Sequence, residues 1–207
     1  MIQVHHLNNS RSQRVLWMLE ELGLGYDLVK HQRDAQTNLA PPELQKVHPL
    51  GKSPVIVDDG QTVIESGAIL EYLVRRHGKG RFAPVESSPD WPRYVQLMHY
   101  AEGSAMLPLM LSIYSGRLGD AAAPLRPRIQ SEIENHMGYL DRELEGRTWF
   151  VGDDLSAADV NLSFPVQVTR LLHGLDHFPN LARFLESVAD RPAYQRALER
   201  GGPYGLG

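Results

Sequence analysis

Residues 53–78 read SPVIVDDGQTVIESGAILEYLVRRHG, and this stretch decides the fold. Two β-rich runs, 53–60 and 61–66, meet at Asp58-Asp59-Gly60, a turn signal that predicts a hairpin. From Ser66 the pattern becomes that of an amphipathic helix, closed by Gly78. Upstream, residues 2–7 read as a strand. A helix follows, with Val15, Met18, Leu19 and Leu22 at helical spacing and Gly23 or Gly25 as its stop. Residues 26–30 read as a second strand, and a Pro-, Gln- and Asn-rich loop covers 33–51, with a short helix near 42–46. The order is β-α-β, loop, β-β-α. That is an α/β module.

Beyond it the composition changes. A Gly-, Pro- and Ser-rich connector runs from 78 to 92, and from 93 onward period-two patterning disappears. Helical patterns fill 93–116, 125–145, 157–173, 180–190 and 192–200. The reading is therefore an α/β domain over 1–78, a linker over 79–92, and an all-helical domain over 93–207.

Composition narrows the function. Of 207 residues, 42% are hydrophobic and 22% charged, as in an ordinary globular protein with ample core. Net charge is −4 and the basic residues are scattered, which argues against nucleic-acid binding. There is no cysteine, so disulfides, protein thiolates and cysteine-ligated metals are excluded. Any sulfur chemistry must use a ligand's sulfur. No signal-peptide pattern and no apolar run of membrane-spanning length is present, and the expected location is cytoplasmic.

Four short segments could carry chemistry. Ser10-Arg11-Ser12-Gln13 fits a capping box at the start of the first helix. A helix N-terminus also favours an anion, so Ser10 can be a cap and a site at once. Ser53-Pro54 opens a strand. It is either an ordinary trans turn or a cis bond that leaves the backbone of residue 53 open to a peptide-like ligand. Glu65-Ser66 is either a cap or a site for an α-amino acid, with Ser66 and the helix amides on the carboxylate and Glu65 on the ammonium. Ser156-x-x-Asp159 reads as a second capping box, purely structural, with Leu155 as staple.

Other signals fail. Gly51-Lys52-Ser53 lacks the glycine a phosphate loop needs at Lys46, and Pro54 would block its helix. The nine histidines form no metal-protease pair, and no metal site is expected. Met106, Met110, Ile113 and Tyr114 form an apolar stripe that suits a core or an interface.

The segments NNSRSQRVLWMLEELGL (8–24), HPLGKSPVIVDD (48–59), ESGAILEYL (65–73) and GDDLSAADVNL (152–162), in that order, resemble the cytosolic glutathione S-transferases over essentially the whole chain. The resemblance implies a thioredoxin-like N-terminal domain, a helical-bundle C-terminal domain, a cis Pro54 and a homodimer. It implies glutathione as cosubstrate: Ser53 pairs its backbone with the cysteinyl part, Glu65 and Ser66 hold the γ-glutamyl end, and Lys52 lies near the glycyl carboxylate. Ser10 lies four residues before Arg14, the offset of the catalytic hydroxyl in serine-type, microbial members. Asn9 and Ser12 are alternatives for the group facing the sulfur. The sequence departs from the tyrosine-type classes, with His5, His6 and Leu7 in the early strand, and from the usual Asn-Pro, with His48-Pro49.

The implied activity is thiolate stabilisation and attack on a hydrophobic electrophile, in a detoxifying role, with Met106, Met110 and Tyr114 in the electrophile pocket. Glutathione-dependent peroxide or disulfide reduction, or a non-catalytic interaction protein on this fold, are the competing readings.

Overall fold

The computed structural model describes residues 1–202. They form two compact units: Met1–Phe82 with the described residues from Ala189 onward, and Ala83–Val188. The first unit holds β1 (Ile2–Leu7), α1 (Ser12–Leu22), β2 (Tyr26–His31), α2 (Glu43–Val47), β3 (Val55–Asp58), β4 (Gln61–Ile64) and α3 (Ser66–His77). Strand order is β2-β1-β3-β4. Strands β1 and β2 are parallel, Ile2 facing Tyr26 and Leu7 facing His31, and α1 is the crossover that a parallel pair requires. The other two pairings are antiparallel. In the hairpin Asp58 faces Gln61, and Asp59 and Gly60 both have positive φ, 49° and 77°. That two-residue turn matches the right-handed twist of its strands. The mixed sheet is the thioredoxin-like layer that the family resemblance implies.

Helix α1 is buried along every residue from Ser12 to Leu19, because β1, α3 and α9 (Pro192–Gly201) all pack against it. Here the structure departs from the predicted division, which put α9 in the helical domain. Trp17 meets Tyr194 edge to face with ring centres 5.2 Å apart. Arg191 Nη2 bonds Glu21 Oε2 at 2.8 Å, and Arg196 Nε bonds Glu20 Oε2 at 2.9 Å. A helical period tells that α9 exists, not which surface it covers. Gly78 is also unlike a usual helix stop. Its φ is −70°, and a Cβ there would lie 2.2 Å from the Val74 carbonyl oxygen. It is needed for close approach.

In the second unit, α4 (Trp91–Tyr100), a π-helical segment (Ala101–Ala105) and α5 (Met106–Gly116) follow one another where the sequence predicts one helix. Pro108 lacks an N–H and its ring crowds the carbonyl four residues back. Widening the preceding turn, with Met106 N–H on the Ala101 carbonyl, accommodates it. Then come α6 (Arg126–Glu143), α7 (Ala157–Leu172) and α8 (Pro179–Ala189). Helix α7 is buried from Ala157 to Thr169 and forms the centre of this unit. Its capping box is made: Ser156 N–H and Oγ–H donate to Asp159 Oδ2 at 2.8 and 2.6 Å, and Phe150 N–H donates to Oδ1 at 2.7 Å. Burial pushes the Asp159 carboxyl up to about 6, against these three donors.

Candidate functional site

Side chains alternate along β1, so His5 and His6 point to opposite faces. His6, 3% exposed, faces α1. Its Nδ1 lies 2.8 Å from Ser12 Oγ and its Nε2 2.9 Å from the Gly201 carbonyl oxygen at the end of α9. Ser12 Oγ accepts the Leu7 N–H at 3.2 Å and lies 2.7 Å from Ser10 Oγ, which in turn accepts the Ser12 N–H at 3.2 Å. The capping box expected from Ser10 to Gln13 is therefore not formed. Helix α1 starts at Ser12, the cap position is Arg11 without a side-chain cap bond, and Gln13 Nε2 has no hydrogen-bond partner. The two hydroxyls are drawn inward by His6 and Leu7 instead.

This placement separates the three candidates for the sulfur contact. Ser12 is fully buried behind Ser10 and presents no surface to a ligand; Ser10 is 5% exposed. Asn9 is half-buried with φ of 50°. Its backbone carbonyl accepts Arg33 Nη2 at 3.4 Å, while Asn8 Oδ1 and O accept Arg33 N and Nε at 2.8 and 3.2 Å. Arg33 clamps this loop from the segment after β2. No spacing in the sequence points to it, nor to His6 or Gly201.

The Ser53-Pro54 bond is cis. Ser53 Oγ donates to the His5 carbonyl at 2.9 Å, and among the described residues no backbone hydrogen bond engages Ser53. Half-buried backbone of this kind is normally paired, so this position suits a peptide-like ligand. Lys52 beside it is exposed. Glu65 is exposed at φ 65°, ψ 116°, a conformation a non-glycine residue holds only when its surroundings enforce it. Of the two readings of Ser66, the cap position falls to Glu65, and Ser66 is the first residue of α3. Its buried Oγ accepts Arg14 Nη2 at 2.6 Å. Arg14, matched to Ser10 by offset, thus joins α1 to α3.

Three sets of contacts therefore hold the predicted pieces within the first unit. The His5 carbonyl holds Ser53, His6 holds Ser12 and Ser10, and Arg14 holds Ser66. On the other face of β1, His5 Nδ1 lies 3.1 Å from His31 Nε2. Burial, then the neighbouring His31, holds the His5 ring below the usual imidazole range. Among the described residues no cluster of three or more His, Asp or Glu is placed to bind a metal. No helix there is long and apolar enough to cross a membrane.

The predicted electrophile residues lie on α5 of the second unit. Met106 is 2% exposed and packs in the core of this unit. Met110 is half-buried and Tyr114 is 59% exposed, because an i, i+4 series drifts around a helix. Neither lines the cavity of about 450 Å³ in this unit, whose walls include Ser112, Ser115, Arg126, Gln130 and His173.

Residues 1–75 match the family model of the glutathione S-transferase N-terminal domain, and 102–192 that of the C-terminal domain. Glutathione S-transferase 3 of Schizosaccharomyces pombe is 35% identical, over 97% of this chain and 88% of its own length. The chain belongs to the glutathione S-transferase family. Among solved members, a glutathione S-transferase from Actinobacillus pleuropneumoniae is 34% identical with a TM-score of 0.88, covering 97% of this chain and 93% of that one. A family member from Pseudomonas fluorescens, solved with two glutathione molecules bound, is 29% identical with a TM-score of 0.80, covering 96% and 92%. The C-terminal family model stops at the first residue of α9, the helix that packs back on α1 in the first unit.

Proposed function

We propose that the protein is a glutathione transferase: it binds reduced glutathione in the first unit, stabilises the thiolate beside Ser10, and promotes its attack on an apolar electrophile. The observation that carries this reading is the Ser10 hydroxyl at the start of α1, in the unit that also holds the unpaired Ser53 backbone and the Arg14–Ser66 contact. In this reading Ser53 pairs with the cysteinyl backbone, Glu65 and Ser66 take the γ-glutamyl end, and Lys52 takes the glycyl carboxylate. Met106, Met110 and Tyr114 are the α5 candidates for an apolar co-substrate. The likeness to glutathione S-transferases, one of them solved with glutathione bound, supports the same reading.

The magnitudes are adequate. A free thiol ionises near pH 8.5, so lowering it by about two units needs about 2.7 kcal/mol of preference for the thiolate. A hydroxyl bond to an anion contributes about 1.5–3 kcal/mol, and the helix terminus about 0.3–1 kcal/mol. Retention on immobilised glutathione, then parallel assays with an aryl halide and an organic hydroperoxide, test the proposal. Retention with aryl conjugation is the expected outcome. Retention with peroxide turnover alone points to the reductase reading, and no retention to an interaction protein. In this reading the protein is a cytoplasmic homodimer, and equilibrium sedimentation of the pure protein checks the dimer.

A further inference from the structure

The hydrogen-bond directions around Ser10 raise a difficulty for its role as donor. The Gly201 carbonyl can only accept, so His6 Nε2 carries a hydrogen. Before any thiolate is present to offset it, burial keeps the ring neutral; the Gly201 bond pulls the other way, and Lys30 and His31 on β2 reinforce burial. Nδ1 is then an acceptor, and the Ser12 hydroxyl at 2.8 Å is its donor, nearer than the Leu7 carbonyl at 3.2 Å that competes for the same hydrogen. With its hydrogen on His6, Ser12 Oγ accepts from Leu7 N–H and from Ser10. The hydrogen of Ser10 therefore points inward, toward Ser12. A thiolate arriving at Ser10 meets oxygen, not a donor.

We propose that Ser10, Ser12 and His6 form a proton relay, in which a thiol bound at Ser10 sends its proton to His6 and the hydroxyl chain reverses direction in the same event. This rests on the proposed binding of glutathione at Ser10. The sulfur proton passes to Ser10 Oγ as the Ser10 proton passes to Ser12 Oγ and the Ser12 proton to His6 Nδ1. The bonds broken and formed are S–H, two O–H and N–H, with no redox change. The products are a thiolate that accepts a hydrogen bond from Ser10 and an imidazolium that donates from Nδ1 to Ser12 and from Nε2 to Gly201. When the conjugate leaves, the chain runs backward and delivers the proton at Ser10, to an addition product or to water.

His6 acts through the two serines and is a positioning residue and proton store, not a group that touches substrate. Three elements face it: β2 with Lys30, α1 with Ser12, and α9 with Gly201, while His31 acts on it from the other face of the sheet. Glycine at 201 is part of the device. A Cβ there would lie 2.4 Å from Gln13 Oε1, 2.7 Å from Leu16 Cδ1 and 3.1 Å from His6 Cε1. A side chain there would crowd Gln13, Leu16 and the His6 ring together.

The test uses the whole protein and glutathione near neutral pH. Thiolate is read by its ultraviolet absorbance, and released protons by calorimetry in two buffers of different ionisation enthalpy. With the relay, the wild type forms thiolate yet releases well under about half a proton per thiolate, because His6 keeps it. Ser12→Ala and His6→Asn are expected to lower the thiolate fraction roughly tenfold and to release about one proton for each thiolate that still forms. Ser12→Thr, which keeps a hydroxyl, restores the wild-type behaviour. A full proton released by the wild type, a measurement that needs no variant to fold, overturns the relay while leaving glutathione binding intact. So does an unchanged thiolate fraction in folded Ser12→Ala. Failure of the wild type to retain glutathione overturns the relay and the proposed function together.

Discussion

Two helices in this protein begin with the same sequence signal and use it differently. Ser10-x-x-Gln13 precedes α1 and Ser156-x-x-Asp159 precedes α7, and both fit a capping box. At α7 the box closes, and its buried carboxyl gathers three donors from two chain segments. At α1 it does not close, because His6 on the neighbouring strand recruits Ser12, and Ser12 recruits Ser10. The difference lies in what the adjacent element presents. A strand offering a histidine nitrogen turns a cap into a hydroxyl chain, and a loop offering only backbone N–H leaves the cap a cap.

The comparison is broken most severely at α7. Asp159→Ala leaves the Phe150 and Ser156 donors buried without a partner, and chemical denaturation is expected to show a loss of about 3–5 kcal/mol, with glutathione-site properties unchanged in the folded fraction. The same acid supplies a pH test. Its folded carboxyl titrates near 6, above the ordinary 3.8, so the folded chain holds a proton that the unfolded chain has released. This group's contribution is complete below about pH 4 and is lost as pH rises through 6, a span of about 3 kcal/mol. Stability of Asp159→Asn against pH should lack that slope.

At α1 the largest effect should appear in the ligand, not the fold. Ser10→Ala is expected to raise the bound thiol's pKa by about one to two units, while folding stability changes by less than about 1 kcal/mol. A stability loss as large as that of Asp159→Ala would mean that the two serine boxes are equivalent after all. Gly201→Ala sits between the extremes. Crowding against Gln13, Leu16 and His6 should cost about 1–3 kcal/mol by thermal or denaturant unfolding and should also lower the thiolate fraction. Ser156→Ala is the mildest, at about 1 kcal/mol, since Asp159 keeps its Phe150 and Ser156 backbone donors.

Much of the fold is legible because it depends on local chemistry. Asp59-Gly60 dictates its own turn, the strand 2–7 and the helix after it follow from periodicity, and the capping box at 156 forms as read. The pieces of the candidate site are legible too, since Ser10, Ser53-Pro54 and Glu65-Ser66 each stand at a junction between elements. What they bond to is not. Ser66 takes Arg14 across a gap of 52 residues, Asn8 takes Arg33, and His6 takes a carbonyl 195 residues away. The π turn before Pro108 likewise depends on packing that the helical period does not reveal.

By itself the sequence determined the elements, their order, the change from an α/β to a helical composition, and the absence of any thiol other than a ligand's. Those depend on residue types within a few positions of one another. Tertiary structure decided the side to which α9 returns, the inward partners of Ser10 and Ser12, and the Arg14 contact of Ser66. Each of these is a choice among several partners of equal local merit, and only long-range packing brings one of them within hydrogen-bond reach.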